Sequence, residues 1–246
     1  MCTLTYRLSE QGYQLFFNRD EQRTRPQAIA PLVNDTLNAA YPIDPTGGGT
    51  WIAVHQSGVS LALLNYYQAQ VDPTLKSFTS RGVIIPRLLE SVQDIHQQLM
   101  TMDLSCFQAF QLCVFDSDLS LSNKHSGLAQ QYVWNGKQLI HSILKADSSL
   151  PVTSSGVDFE TVSTYRKQHF LNAIDVHTSS VDDYIQYHQH QGESGKCSVK
   201  MFRDDAKTVS FTHIAVSQER VLGEKVTLDY IDYFAEQAKK TLSLTF

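Results

Sequence analysis

The chain has 246 residues, of which 42% are hydrophobic and 18% charged, enough to bury a sizeable core without metal or disulfide support and too apolar for general disorder. Lys and Arg number 20 against 25 Asp and Glu, for a net charge of -5 and a pI near 6.0; this lacks the basic excess of a nucleic-acid binder. No apolar run reaches the roughly 18 residues of a membrane span, and no charged lead precedes an apolar stretch at the start, so a cytoplasmic location is expected.

Two hairpins open the chain. Cys2 to Leu8 and Tyr13 to Asn18 or Arg19 flank the turn Ser9-Glu10-Gln11-Gly12. After a proline-containing connection, Thr50 to Gln56 and Val59 to Tyr66 flank the two-residue turn Ser57-Gly58. Residues 83–102 read as one helix, with Pro86 in its first turn and Leu88, Leu89, Val92, Ile95, Leu99 and Met102 on one face. Strand signals return at Ala109 to Phe115 and on both sides of Asn135-Gly136. Two helices are expected over Asp158–Ile174, capped by Asp158, and Val181–His190, capped by Ser179 or Ser180. Strands follow at Cys197–Arg203, Val209–Val216 and Val226–Tyr233, then a helical turn over Phe234–Lys240 and a last strand over Leu242–Phe246. Without repeats, low-complexity tracts or a dividing linker, residues 1–246 read as one α+β domain of antiparallel sheet covered by helices.

The hairpin registers bring polar residues together. Leu8 opposite Tyr13 sets Tyr6 against Leu15, Leu4 against Phe17 and Cys2 against Arg19, all on one apolar face. A guanidinium on such a face is costly unless it is used, and one use is to lower the pKa of a neighbouring thiol. In the second hairpin, Gln56 opposite Val59 pairs Ile52 with Leu63 and Thr50 with Asn65. Asn65 then breaks the row Val59, Leu61, Leu63 beside Gly47-Gly48-Gly49. Each residue also has a plainer reading. Cys2 fits a small hydrophobe, Asn18-Arg19-Asp20-Glu21 a solvated turn, Asn65 a strand end and the three glycines a turn rather than a phosphate loop. Cys106, Cys113 and Cys197 have apolar neighbours and read as structural thiols. The four cysteines show no metal or disulfide spacing, the nine histidines no metal-ligand spacing, and neither metal nor cofactor is expected.

Taken in order, Met1-Cys2, Asn18-Arg19-Asp20-Glu21, Arg25-Pro26, Gly48-Gly49-Thr50-Trp51, Leu64-Asn65-Tyr66, Ser80-Arg81-Gly82, Arg166-Lys167 and Thr208–Thr212 resemble the NRDE family, also called Transport and Golgi Organisation protein 2-like. That family is similar to N-terminal nucleophile (Ntn) hydrolases, and the resemblance implies a four-layer αββα sandwich. By motif it implies Cys2 as nucleophile, Arg19 and Asp20 as its electrostatic partners and Asn65 as an oxyanion donor, with Asn18, Glu21, Trp51, Tyr66 and Arg81 binding substrate. Ala53 stands where a glycine is usual, Leu64 where a threonine is usual, and Thr153-Ser154-Ser155 where many members have Leu-Ser-Asn. The expected activity is hydrolysis of a small-molecule amide through an acyl-enzyme, after removal of Met1 exposes the Cys2 α-amine. The rival is a non-catalytic carrier or trafficking protein of the same fold that holds a hydrophobic ligand such as haem or a lipid. No nucleic-acid partner is expected, and no oligomeric state follows from the sequence.

Overall fold

The computed structural model describes residues 2–69, 77–122, 127–193, 195–218, 224–234 and 238–245. The first hairpin has the expected register: β1 (Cys2–Ser9) and β2 (Gly12–Gln22) pair Leu8 with Tyr13 and Cys2 with Arg19. β2 runs three residues past the expected end, because β11 (Ala206–Ser217) pairs with it as far as Gln22. The Asn18–Glu21 tetrad is therefore strand, not turn. The proline-containing connection forms two further strands, β3 (Ile29–Asn34) and β4 (Ala39–Ile43). Asn38, at φ 48, turns the chain between them, and the Asn34 carboxamide oxygen accepts from the Leu37 amide.

The second hairpin corrects the expected register by one residue. β5 (Ile52–His55) and β6 (Ser60–Asn65) pair Ile52 with Ala62 and Val54 with Ser60. The loop holds three residues rather than two, with Gly58 at φ 93 and the His55 amide bonded to the Val59 carbonyl. A slip of one flips a strand's faces. Ile52 and Val54 consequently join Ala62 and Leu64 in the layer between the sheets, while Ala53 joins Leu61 and Leu63 beneath the helices.

The single helix expected over 83–102 is broken. Its parts are α1 (Ile84–Leu88), a 3-10 segment Leu89–Asp94 and α2 (Ile95–Thr101). Ser91 is extended (φ -149°, ψ 83°), and its carbonyl accepts from the Gln98 side chain instead of the helix. The apolar face survives the break, with Leu88, Leu89, Ile95 and Leu99 all buried. β7 (Phe110–Phe115), β8 (Ala129–Trp134) and β9 (Leu139–Ile143) follow, the last two around Asn135-Gly136.

The unforeseen β10 (Val152–Ser154) pairs with β1. α3 (Phe159–Ala173) starts after Asp158, whose side chain makes no cap and whose φ is 47. α4 (Val181–Gln189) has the Ser180 cap, with Asp183 completing a capping box. Residues 197–203 form a run of turn and bends with one isolated bridge, Phe202 to Lys207, rather than a strand, although Cys197, Val199 and Met201 are buried there. β12 (Glu224–Asp232) and β13 (Ala238–Thr245) finish the first sheet. β13 takes up the last residues of the expected helical turn, whose residues 235–237 lie outside the described residues, as does Phe246.

All pairing is antiparallel, in the orders β10-β1-β2-β11-β12-β13 and β3-β4-β5-β6-β7-β8-β9. Leu4, Tyr6, Leu15 and Phe17 of the first sheet pack on Ile52, Val54, Ala62 and Leu64 of the second. α1 and α2 cover the outer face of the second sheet, and α3 and α4 that of the first. The result is an αββα sandwich. Among the described residues, no helix is long and apolar enough to cross a membrane.

His188 on α4 is fully buried, takes part in a hydrogen bond between its Nε2 and Thr5 Oγ1 (2.8 Å) and stacks near Phe16. Burial, then the nearby Arg166 and His213, push its pKa down to about 3. Between the ordinary pKa near 6.5 and about 3, the unfolded chain holds a proton that the native chain refuses. Stability should therefore fall as pH drops through this window, by up to about 1.4 kcal/mol per pH unit from this group. Urea unfolding at pH 6.5 and 5 tests it. The wild type should lose more stability than His188→Gln, and equal losses would contradict the assignment.

Candidate active site

β-strand alternation divides the tetrad between two environments. Asn18 and Asp20 face α3 and α4, whereas Arg19 and Glu21 face the space between the sheets. On that side Cys2 lies between Arg19 on β2 and Ser154 on β10, its cross-strand partners. Cys2 is half-buried. Burial raises its thiol pKa and the Asp20 carboxylate adds to the rise; the Asp20 backbone amide and the Arg19 guanidinium oppose it, with Arg19 the weaker of these. The net shift is upward, so the expected activation of the thiol by Arg19 is outweighed.

Arg19 is held elsewhere. Its guanidinium lies 4.0 Å from the centroid of the Trp51 ring and reaches Glu21 at 3.4 Å and Asp44 at 4.0 Å. Arg25 closes the square, 3.6 Å from Glu21 and 2.5 Å from Asp44. Burial opposes ionisation of Asp44, but the Arg25 hydrogen bond, the Thr46 amide and the two guanidiniums prevail and hold its carboxyl below the usual range.

Behind this layer is a residue to which the sequence reading gave no role. Arg166 of α3 is fully buried and bonds Asp20 at 3.2 Å, Thr3 Oγ1 at 2.5 Å, the Cys197 carbonyl at 3.3 Å and the Cys2 carbonyl at 3.5 Å. The other Asp20 oxygen accepts from Thr208 at 2.6 Å. The available signal was its spacing: Val162, Arg166 and Phe170 form one buried stripe, and a cation on an apolar stripe needs a buried partner.

Cys2, Arg19, Asp20, Glu21, Trp51, Asn65 and Arg81 line one cavity of about 700 Å³. Asn65, at the end of β6, donates to the Tyr67 hydroxyl at 2.7 Å, and Tyr67 lines the cavity too. Two of the expected residues are not brought there. Asn18 is fully buried on the other face of β2, where its amide donates to the His188 and Val199 carbonyls at 2.8 and 2.9 Å. Tyr66 follows the strand end with its amide on the Ala109 carbonyl and does not line the cavity. Met1 lies outside the described residues. Of the remaining thiols, Cys113 and Cys197 are buried and Cys106 is half-buried.

The glycines bring Arg81 to the cavity. A Cβ on Gly49 would stand 2.1 Å from the Gly82 carbonyl carbon, and the Thr50 amide bonds the Gly82 carbonyl at 2.9 Å. This close approach of two backbones docks the 44–50 loop on the turn that carries Arg81. Gly49→Ala should therefore destabilise the fold by about 1–3 kcal/mol or more. An unchanged denaturant midpoint would contradict the contact. For Cys2, the rate of iodoacetamide modification should rise with pH about a midpoint above the usual thiol value near 8.5. A midpoint below that value would refute the charge balance described here.

Residues 1–214 match the family model for Transport and Golgi organisation 2. No curated protein sequence matches the chain. Among solved structures, the N-acylethanolamine-hydrolyzing acid amidase orthologue of Caenorhabditis elegans is similar at 11% identity, over 87% of this chain and 92% of that one, with TM-score 0.56. Penicillin V acylase from Agrobacterium tumefaciens is similar at 10% identity, over 99% and 86%, with TM-score 0.56. A mutant conjugated bile acid hydrolase from Clostridium perfringens is similar at 12% identity, over 99% and 92%, with TM-score 0.55. At these identities the likeness is one of fold, and the fold is that of the Ntn hydrolases. With the family match extending over most of its length, the chain belongs to the Transport and Golgi organisation 2 family.

Proposed function

We propose that this protein is an amidohydrolase acting on non-peptide amides with Cys2 as nucleophile. The observation that carries the reading is the gathering of Cys2, Arg19, Asp20 and Asn65 around one cavity. The fold relatives, an acid amidase, an acylase and a hydrolase by name, agree with it.

Removal of Met1 exposes an α-amine on the nucleophilic residue itself. An α-amine ordinarily titrates at about 7.7–8.0, so it can take the thiol proton. This route supplies the base that a thiol with a raised pKa needs. The sulfur bonds to the amide carbon, and the oxyanion takes a hydrogen bond from the Asn65 amide. The ammonium then returns its proton to the leaving nitrogen as the C–N bond breaks. Water attacks the thioester, the amine accepts the water proton, and the acid leaves with the thiol restored. Arg19 and Asp20 act as positioning residues: Arg19 through Trp51, Glu21 and Asp44, Asp20 through Arg166 and Thr208.

The charged lining favours this reading over a carrier of apolar cargo. Three arginines and the carboxylates of Glu21 and Asp44 border the cavity, and an apolar ligand would strip water from them with no exchange of hydrogen bonds.

Intact mass after exposure to a panel of activated amides tests the proposal. A mass increase equal to the acyl group should appear on the chain lacking Met1 and be absent from Cys2→Ala. Adduct formation without Cys2, or hydrolysis undiminished by its loss, would overturn it. For any amide that is turned over, Asn65→Ala should lower kcat by about 10²–10³. An effect under about threefold would remove Asn65 from the oxyanion role.

A further inference from the structure

The charges of the cavity do not cancel. Arg19 and Arg25 form a closed square with Glu21 and Asp44, and Asp20 is paired with the buried Arg166. Arg81 stands outside both arrangements. Four guanidiniums thus share three carboxylates, and the surplus positive charge sits on Arg81.

Arg81 is half-buried, and its Nη1 donates to the Ala109 carbonyl at 3.0 Å. Among the described residues no carboxylate pairs with it, and a guanidinium has five N–H donors in a planar fork. Tyr67 is the second free donor. Its oxygen accepts from Asn65, which leaves the O–H to donate, and burial raises its pKa so that it keeps this proton at neutral pH. Arg81, Tyr67 and Cys2 lie close enough to influence one another electrostatically. The cavity therefore presents, beside the nucleophile, a planar cation that has N–H groups beyond the one bonded to the Ala109 carbonyl and, among the described residues, no paired carboxylate, together with a hydroxyl placed to donate.

We infer that Arg81 and Tyr67 seat a carboxylate carried by the ligand, so that the cavity selects amides bearing an acid group over neutral amides. The inference rests on the amidohydrolase reading for the amide, but the carboxylate seat is a property of binding alone. The acid group can come from either half of the amide: from the amine, as in an N-acyl amino acid, or from the acyl group, as in a dicarboxylic acid monoamide. Both offer the same two oxygens to the guanidinium fork.

Two isosteric pairs separate charge from shape and one source from the other. They are N-hexanoylglycine with N-hexanoylglycinamide, and N-butylsuccinamate with N-butylsuccinamide. Binding is measured by calorimetry on full-length Cys2→Ala, where turnover cannot intrude, and hydrolysis by mass spectrometry on the wild type. The acid of at least one pair should bind about tenfold or more tightly than its neutral twin, and the preferred pair identifies the source. The preference should weaken with added salt. It should disappear when Arg81→Gln is combined with Cys2→Ala and survive in part when Arg81→Lys is.

Failure to discriminate within either pair, whether both members bind or neither does, overturns the inference. So does a preference that survives Arg81→Gln. If that substitution instead shifts the Cys2 thiol pKa in the otherwise wild-type chain while acid and neutral twins bind alike, Arg81 serves the thiolate, not the ligand. The two readings fail separately. Discriminating binding without turnover would remove the hydrolase and keep the seat; equal hydrolysis of acid and neutral twins would do the reverse.

Discussion

The buried pair between Asp20 and Arg166 is the constraint on which the rest of the site depends. Both side chains are almost wholly removed from water, at 1% and 0% exposure. Such burial is tolerable only when every remaining hydrogen-bonding position is answered. Thr208 on β11 answers one carboxylate oxygen, while Thr3, Cys2 and Cys197 answer the guanidinium. The pair thus joins β1, β2, β11, α3 and the 197–203 segment at one point. That point lies directly behind Cys2, since Arg166 reaches the Cys2 carbonyl itself. The first residues of β1 are thereby tied to the interior.

The opposite face of β2 uses charge differently. Arg19, Glu21, Arg25 and Asp44 form their network at the cavity, partly in contact with solvent, where each pair alone would contribute little. Its consequence is positional: Arg19 is pressed on Trp51 and the 44–50 loop is drawn toward the tetrad. The same loop meets Gly82 through Gly49. Four consecutive residues, Asn18 to Glu21, therefore serve two layers by alternation alone, one pair holding the helices and the other shaping the cavity.

What could be read from the sequence follows from how local each feature is. The first hairpin closes through a tight turn, so its pairing is set by a few adjacent residues, and the opposition of Cys2 and Arg19 followed. The second hairpin looked equally local, yet one extra loop residue shifted its register and exchanged the faces of β5. Asn65 keeps its parity with Leu61 and Leu63, and it meets the cavity because β6 ends there. Asn18 was grouped with its neighbours by motif, whereas alternation sends its amide to α4. Arg166 was visible as part of a motif, but its partner lies 146 positions away, and no local pattern reports such a contact. β10 is three residues long and exists because β1 offers it an edge. The 197–203 segment has the apolar content of a strand, but there it is packed as turn and bends.

The central claim is that Asp20 and Arg166 act as one unit that holds Cys2 in place. A double-mutant cycle of Asp20→Asn and Arg166→Met, read by denaturant unfolding and by the iodoacetamide rate of Cys2, tests it most directly. Each single variant leaves a buried polar partner uncompensated, and Arg166→Met, which strands a carboxylate, should cost about 3–5 kcal/mol. The double variant should recover a large part of that loss, with a coupling energy well above about 1 kcal/mol, and its Cys2 rate should depart from the product of the single effects. Additive changes in both readouts would contradict the account.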